Sequence, residues 1–363
     1  MSEEIWVLGA TGRAGAAIAQ KLAARGTVPV LVGRDAARLN RAAAPLGART
    51  VAAASPAAMA SAILRERPAV VVNTVGPFQS TAAVIADAAL LSGHYVDIAN
   101  DISTFTQLFA RDDAARTAGT TIVTGAGFGV TATESVLTRL LEGQPNARRV
   151  RVNMIPSVAF TEGVVGEALA ASIVEGLPGI AGGGRFQGRR ITDGRLAKAT
   201  LGSLARTLTT PDGDEVVTAV MPLGELLAAE RASHAPYIET ASSEAPSGSL
   251  LSALLPATLP LLHIAPLRRF VTRRLAAVKT SARPQPREHS WGHAEVEWYD
   301  GRHREGWLKL PNASEFTSTV AAETARRLLA AEGRPGAYTP AALFGSSFAE
   351  ACGGEYLLAG VVK

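Results

Sequence analysis

The apolar positions of this chain fall into short runs separated by helical patterns. Ile5-Trp6-Val7-Leu8 is apolar throughout and breaks at Gly9; the stretch that follows sets Ile18 and Leu22 on one helical face and stops at Gly26. The alternation then repeats. Val28 to Gly33 reads as a second strand, Asp35 to Leu46 as its helix, and Arg49 to Ala53 as a short third strand. Ala69 to Thr74 is rich in β-branched residues, as a strand buried on both faces requires. A helix over Gln79 to Leu91, a strand over Tyr95 to Ile98, a helix over Phe105 to Thr117 and a strand over Thr120 to Thr124 continue the pattern. Strand–helix alternation with right-handed crossovers predicts an α/β fold built on a doubly wound parallel sheet.

The rhythm changes after Gly125. Ala132 to Leu141 is helical in pattern, and Arg149 to Ile155 alternates as a half-buried strand does. Glycine-rich loops (Gly179 to Gly188) then mix with extended segments such as Glu215 to Val220. His293 to Trp298 and Arg304 to Leu310 flank Asp300-Gly301, a hairpin signal. A last helix, Thr319 to Ala331, is closed by Gly333 and Pro335. The later half is therefore expected to be α+β, on a mixed and mainly antiparallel sheet. The expected division is 1–130, 131–315 and 316–363, the last segment returning toward the first domain. Leu250 to Leu267 is largely apolar but proline-broken and too short to span a bilayer well. It reads as a buried cap or subunit contact, or else as the wall of a pocket for an apolar substrate or a shallow membrane contact.

At 363 residues the chain exceeds one ordinary core, which fits two domains. Its net charge is +4, but the arginines are scattered and no basic tract carries interleaved aromatics. The densest cluster, Arg268, Arg269, Arg273 and Arg274, reads as a solvated helix face, so nucleic-acid binding is not expected. Cys352 is the only cysteine, which excludes an intrachain disulfide and a cysteine metal cluster. With no apolar leader before the first strand, the expected location is cytoplasmic.

The candidate chemistry begins at Gly9-Ala10-Thr11-Gly12-Arg13-Ala14-Gly15. Three glycines spaced three apart between strand and helix allow a tight turn, close approach of a pyrophosphate, and close helix–strand packing. The second strand ends at Gly33-Arg34, where an NAD enzyme places a carboxylate. Arginine suits a 2′-phosphate, and Arg13 is a second candidate for it, so NADP(H) is the expected cofactor. Asp35 reads as a helix N-cap.

No tyrosine here is followed four residues later by lysine, so the short-chain dehydrogenase dyad is absent. His289 and His293 lack a nearby third ligand, and no metal is expected. Ligands in open α/β sheets bind beyond the carboxyl ends of the strands. Val75, Gly76 and Pro77 end one strand and are candidates to flank the nicotinamide. Tyr95, Asp97 and Asp101, at and after the end of the next, are the candidate catalytic polar groups. Asp97 is expected to face the crevice.

These motifs, in order, resemble the saccharopine dehydrogenase-like oxidoreductases: Gly9-x-x-Gly12-x-x-Gly15, Asn73-x-x-Gly76-Pro77-Phe78, His94-Tyr95-Val96-Asp97-Ile98 and Gly125-Ala126-Gly127-Phe128. Trp298-Tyr299-Asp300-Gly301 and Pro335-Gly336-Ala337-Tyr338 extend the likeness near the C-terminus. The branch containing trans-acting enoyl reductases is more similar than saccharopine reductase itself. The resemblance implies an N-terminal Rossmann domain, a second domain on a mixed sheet, often a homodimer, and hydride transfer to C=N or conjugated C=C of a small or apolar metabolite. The alternative is a non-catalytic NADP(H)-binding sensor or scaffold. Two departures stand out. Asn100-Asp101 replaces the common Gly-Glu, and Gly127-Phe128-Gly129 replaces Gly-Phe-Asp.

Overall fold

The computed structural model describes residues 3–158, 163–164, 170, 174, 188–245, 262, 264–280 and 285–358. The glycine-rich loop at 179–187 and most of the apolar stretch 250–267 (250–261 and His263) lie outside the described residues. The chain divides into two compact units: 1–99 with 104–128 and 314–343, and 100–103 with 129–313 and 344–363.

The first unit is built on a parallel sheet of β1 (Ile5–Leu8), β2 (Val30–Gly33), β3 (Thr50–Ala52), β4 (Val70–Asn73), β5 (His94–Asp97), β6 (Thr121–Val123) and the strand Gly336–Tyr338. Its spatial order is Gly336–Tyr338, β6, β5, β4, β1, β2, β3, which reverses direction of winding at β1 and β4. Leu8 pairs with Asn73 and Asn73 with Asp97, so three strands end level and release their loops from one edge. Helices α1 (Arg13–Ala24), α2 (Ala36–Ala43), α3 (Pro56–Glu66) and α4 (Phe78–Ala89) make the crossovers, followed by α5 (Ile102–Phe109) and α6 (Asp112–Ala118). The core joins strand residues Trp6, Leu8, Val32 and Tyr95 to helix residues Met59, Ile63, Ile85 and Leu108.

Three elements differ from the sequence expectation. Helix α3 follows Ser55, whose hydroxyl accepts from Ala58 N, with Pro56 at the first helical position. One helix over Phe105 to Thr117 is instead two, because Asp112 and Asp113 open a new N-terminus where their charge is favourable. The seventh strand follows the expected stop at Pro335. Its Ala337 amide donates to Asp112 Oδ1 at 2.7 Å, and Thr121 Oγ1 donates to the Arg334 carbonyl at 2.9 Å.

Among the described residues, the second unit holds a nine-stranded sheet. Its centre is β7 (Ala147–Ile155), antiparallel to Ser290–Trp298 and parallel to Tyr237–Ser242. Ser290–Trp298 and His303–Leu310 form the expected hairpin, turning at Gly301 in the left-handed region (φ 82°). Helix α7 (Phe128–Leu141) begins at the end of the first unit and continues into the second. The helix Ala265–Ala276, which carries the arginine cluster, buries none of its residues. Among the described residues no helix is long and apolar enough to cross a membrane.

Candidate functional site

The turn between β1 and α1 gives each glycine a separate job. Gly9 stands at φ +78°, in the left-handed region, and a Cβ there would meet Thr74 Oγ1 at 2.6 Å. A Cβ on Gly15 would run into the Gly9 carbonyl and the Ala10 Cα. Both glycines are therefore required by the fold itself. Gly12 is not: it is exposed, and its Cβ would meet only the Gly9 carbonyl oxygen, at 3.2 Å. It is the N-cap of α1, so the amides of Arg13, Ala14 and Gly15 form the helix's unsatisfied first turn. A turn that is tight inside and open outside fits a pyrophosphate. Thr11 is half-buried in the same turn, and its carbonyl accepts from Arg38 Nη2 at 3.4 Å.

Arg38 was not singled out by sequence reasoning. It lies on the first turn of α2, one helical turn beyond Arg34, and this spacing was the available signal. Arg13, Arg34 and Arg38 are all exposed. Asp35 is the N-cap of α2, and its Oδ1 accepts from Arg38 N at 3.0 Å. Gly33 is buried, yet a Cβ would sit at ordinary contact distance from Leu39, 3.4 Å, so packing alone does not demand glycine there.

At the ends of β4, β5 and β6 a hydrogen-bonded chain ties the three strands together. Asn73 Oδ1 accepts from Val75 N at 3.0 Å, and Asn73 Nδ2 donates to Tyr95 Oη at 3.0 Å. Tyr95 Oη donates to Asp97 Oδ2 at 3.0 Å. Asp97 Oδ1 accepts from Ala99 N, Thr124 Oγ1 and Gly125 N, at 3.0, 2.9 and 3.1 Å. Burial raises the Asp97 carboxyl to about 6, against the opposing pull of these donors. Burial, and then the Asp97 charge, hold the Tyr95 phenol well above its ordinary value.

This overturns the expectation that Asp97 faces the crevice. Both Asp97 and Tyr95 are 0 % exposed, and every Asp97 oxygen is occupied by a donor from its own chain. A strand-end carboxylate can satisfy three loop donors only by turning inward. Through Asn73 the chain reaches the half-buried loop Val75-Gly76-Pro77, which leads into α4. His94 opens β5, where its Nδ1 accepts from Thr121 N at 3.0 Å.

Asp101 belongs to the second unit, where it forms an isolated bridge with Leu223. Two residues beyond Leu223, in a region without a sequence motif, stands Glu225. Gly224 N donates to the Asn100 carbonyl at 3.4 Å, and the Glu225 side chain is 1 % exposed. Burial pushes its carboxyl up to about 7, opposed only in part by its own N–H and the Asn100 amide. Among the described residues no cluster of three or more His, Cys, Asp or Glu could hold a metal ion.

No family model matches the sequence, and no curated protein does either. Among solved structures, the chain is similar to the apo saccharopine dehydrogenase (L-Glu forming) of Saccharomyces cerevisiae. The TM-score is 0.61 at 11 % identity, over 98 % of this chain and 100 % of that one. A probable dehydrogenase from Thermotoga maritima covers 95 % of this chain and 93 % of its own, with TM-score 0.43 and 10 % identity. UDP-N-acetylglucosamine 3-dehydrogenase from Acidithiobacillus ferrooxidans covers 96 % and 95 %, with TM-score 0.41 and 13 % identity. The likeness to the Saccharomyces cerevisiae structure speaks for architecture: the chain has a saccharopine dehydrogenase-like fold.

Proposed function

We propose that this protein is an NADP(H)-dependent oxidoreductase acting on a C=N or conjugated C=C bond of a small or apolar metabolite. The observation that carries the reading is the difference among the three glycines. Gly9 and Gly15 are demanded by the backbone, whereas Gly12 keeps open the approach to the first-turn amides of α1. In this reading those amides, with Thr11, hold the pyrophosphate. Gly33 leaves room at the end of β2 for the adenosine ribose. Arg13, Arg34 and Arg38 take the 2′-phosphate, each presenting a fork of donors suited to it. Asp35 is already engaged as a helix cap and so does not supply the ribose contact of an NAD enzyme.

Val75, Gly76 and Pro77 flank the nicotinamide end, held by the Asn73–Tyr95–Asp97 chain. The bound dinucleotide supplies the hydride. The chain's part is to orient that ring and the acceptor and to exclude water. Asp97 and Tyr95 act here as positioning residues.

Calorimetric titration of Arg34→Ala and Arg38→Ala tests the cofactor assignment. Each should weaken NADPH binding about 10- to 100-fold and leave NADH nearly unchanged, as expected for lost charged hydrogen bonds to phosphate. Equal loss for both dinucleotides would overturn the 2′-phosphate assignment.

A further inference from the structure

The positive charge of this chain is concentrated in one stretch. From residue 245 to residue 287 the sequence has seven arginines and lysines and no aspartate or glutamate, against 36 basic and 32 acidic residues in the whole chain. Outside that stretch acidic residues are in excess. Four of the seven, Arg268, Arg269, Arg273 and Arg274, stand on the helix Ala265–Ala276 of the second unit. Among the described residues none of these four forms an ion pair.

Helix stability does not account for them. Basic residues favour a helix in its last turn, where Arg273 and Arg274 oppose the dipole. Arg268 and Arg269 stand in the first half and gain nothing there. Arg269 also lies one turn from Arg273, a like-charge pair that weakens the helix.

The sides of the helix differ. Leu267, Val271 and Leu275, four apart, are half-buried, while the side that carries Arg269, Phe270, Arg273 and Arg274 is exposed. The Phe270 side chain is 55 % exposed, and the Arg274 guanidinium stands 5.3 Å from its ring centre. Ile264, just before the helix, is 54 % exposed, and Val278, just after it, 47 %. A single exposed apolar residue needs no explanation. Three large ones within 264–278, set among unpaired arginines, mark a contact surface.

We propose that this helix is a docking surface for an anionic membrane and lies in the plane of the bilayer. Its arginines face lipid phosphates and carboxylates, and Phe270 enters the boundary between headgroups and acyl chains. At 12 residues the helix is about 18 Å long, and a span needs about 20 residues, so it lies on the surface. A nucleic acid would answer the arginines but offers no apolar layer to Ile264, Phe270 and Val278. This docking requires nothing of the dinucleotide cradle.

The test is co-sedimentation of the full chain with vesicles of phosphatidylcholine alone, and of phosphatidylcholine and phosphatidylserine in equal parts. Wild type should bind the mixed vesicles, leave the neutral ones unbound, and be released by salt. A triple variant, Arg269→Gln, Arg273→Gln and Arg274→Gln, should bind mixed vesicles about 100-fold more weakly, since each basic residue near an anionic leaflet strengthens binding about fivefold. The triple variant with lysine at the same positions should bind nearly as wild type, which separates lost charge from lost folding. Phe270→Ser should bind more weakly and keep the salt dependence.

Wild type that ignores mixed vesicles, or binds both kinds alike, overturns the proposal. So does a glutamine variant that binds as wild type, or a Phe270→Ser protein that does. Arginine-dependent binding to duplex DNA at phosphate concentrations where mixed vesicles stay unbound would assign the helix to nucleic acid and overturn it as well.

Discussion

Asp97, expected from sequence to face the crevice, is buried with both carboxyl oxygens hydrogen-bonded. Its place at the end of a parallel strand marked it for the ligand crevice, but three donors emerging from the following loops compete for the same carboxyl. Ala99 N, Gly125 N and Thr124 Oγ1 win, and Asp97 turns inward. Asp97→Asn should therefore cost about 1–3 kcal/mol of stability by leaving a buried donor facing a donor, while the folded variant keeps NADPH affinity. A melting curve and a titration check both. Loss of hydride transfer from a variant of unchanged stability would return Asp97 to the catalytic list. Glu225 is the opposite case. Nothing around Glu225-Leu226-Leu227 in the sequence marks this acid as buried, and the packing of Gly129 against its carboxyl does.

At the scale of elements, the strands of the first unit were legible because fully buried parallel strands read as uninterrupted apolar runs. Val70–Asn73 and Ile5–Leu8 lie within a residue or two of the segments expected from sequence. The Asp300-Gly301 hairpin was legible because its turn demands a left-handed residue. Helix α3 and the strand Gly336–Tyr338 were not, for different reasons. Helix α3 has few large apolar residues to mark a face, and the strand is only three residues long and held by tertiary bonds to Asp112 and β6. The β1–α1 turn separates fold from function. Gly15→Val should destabilise the first unit severely, because its side chain would displace the Gly9 backbone. Circular dichroism melts measure this; a wild-type midpoint would contradict the packing described for that turn.

At the scale of the whole molecule, three buried carboxyls give stability an expected dependence on pH. Asp97 is raised to about 6 and Glu225 to about 7, both by burial. The folded state holds their protons more tightly than the unfolded chain, so their contributions are full below about pH 4 and are lost as pH rises through about 6 and 7. Glu323 has the reverse sign. It is lowered to about 2, first by the Arg326 hydrogen bond, then by Arg327 and the Arg25 charge, with burial opposing. Its contribution is present above about pH 4.5 and is lost as pH falls through about 2. Melting temperatures of Asp97→Asn and Glu225→Gln should therefore fall less than wild type between about pH 4 and 7. Glu323→Gln should fall less than wild type below about pH 4. Parallel curves for all four proteins would show that these groups do not titrate as described.

The central claim, that the β1–α1 turn is a dinucleotide cradle, is tested most directly by calorimetric titration of NADPH into wild type and Gly12→Val. A side chain at residue 12 would meet one backbone atom, the Gly9 carbonyl oxygen at 3.2 Å, and would stand in the approach to the α1 amides. Wild type should bind NADPH at one site, and Gly12→Val, with its circular dichroism unchanged, should not bind it. A wild type that binds neither NADPH nor NADH, or a folded Gly12→Val that binds NADPH as tightly as wild type, would contradict the account.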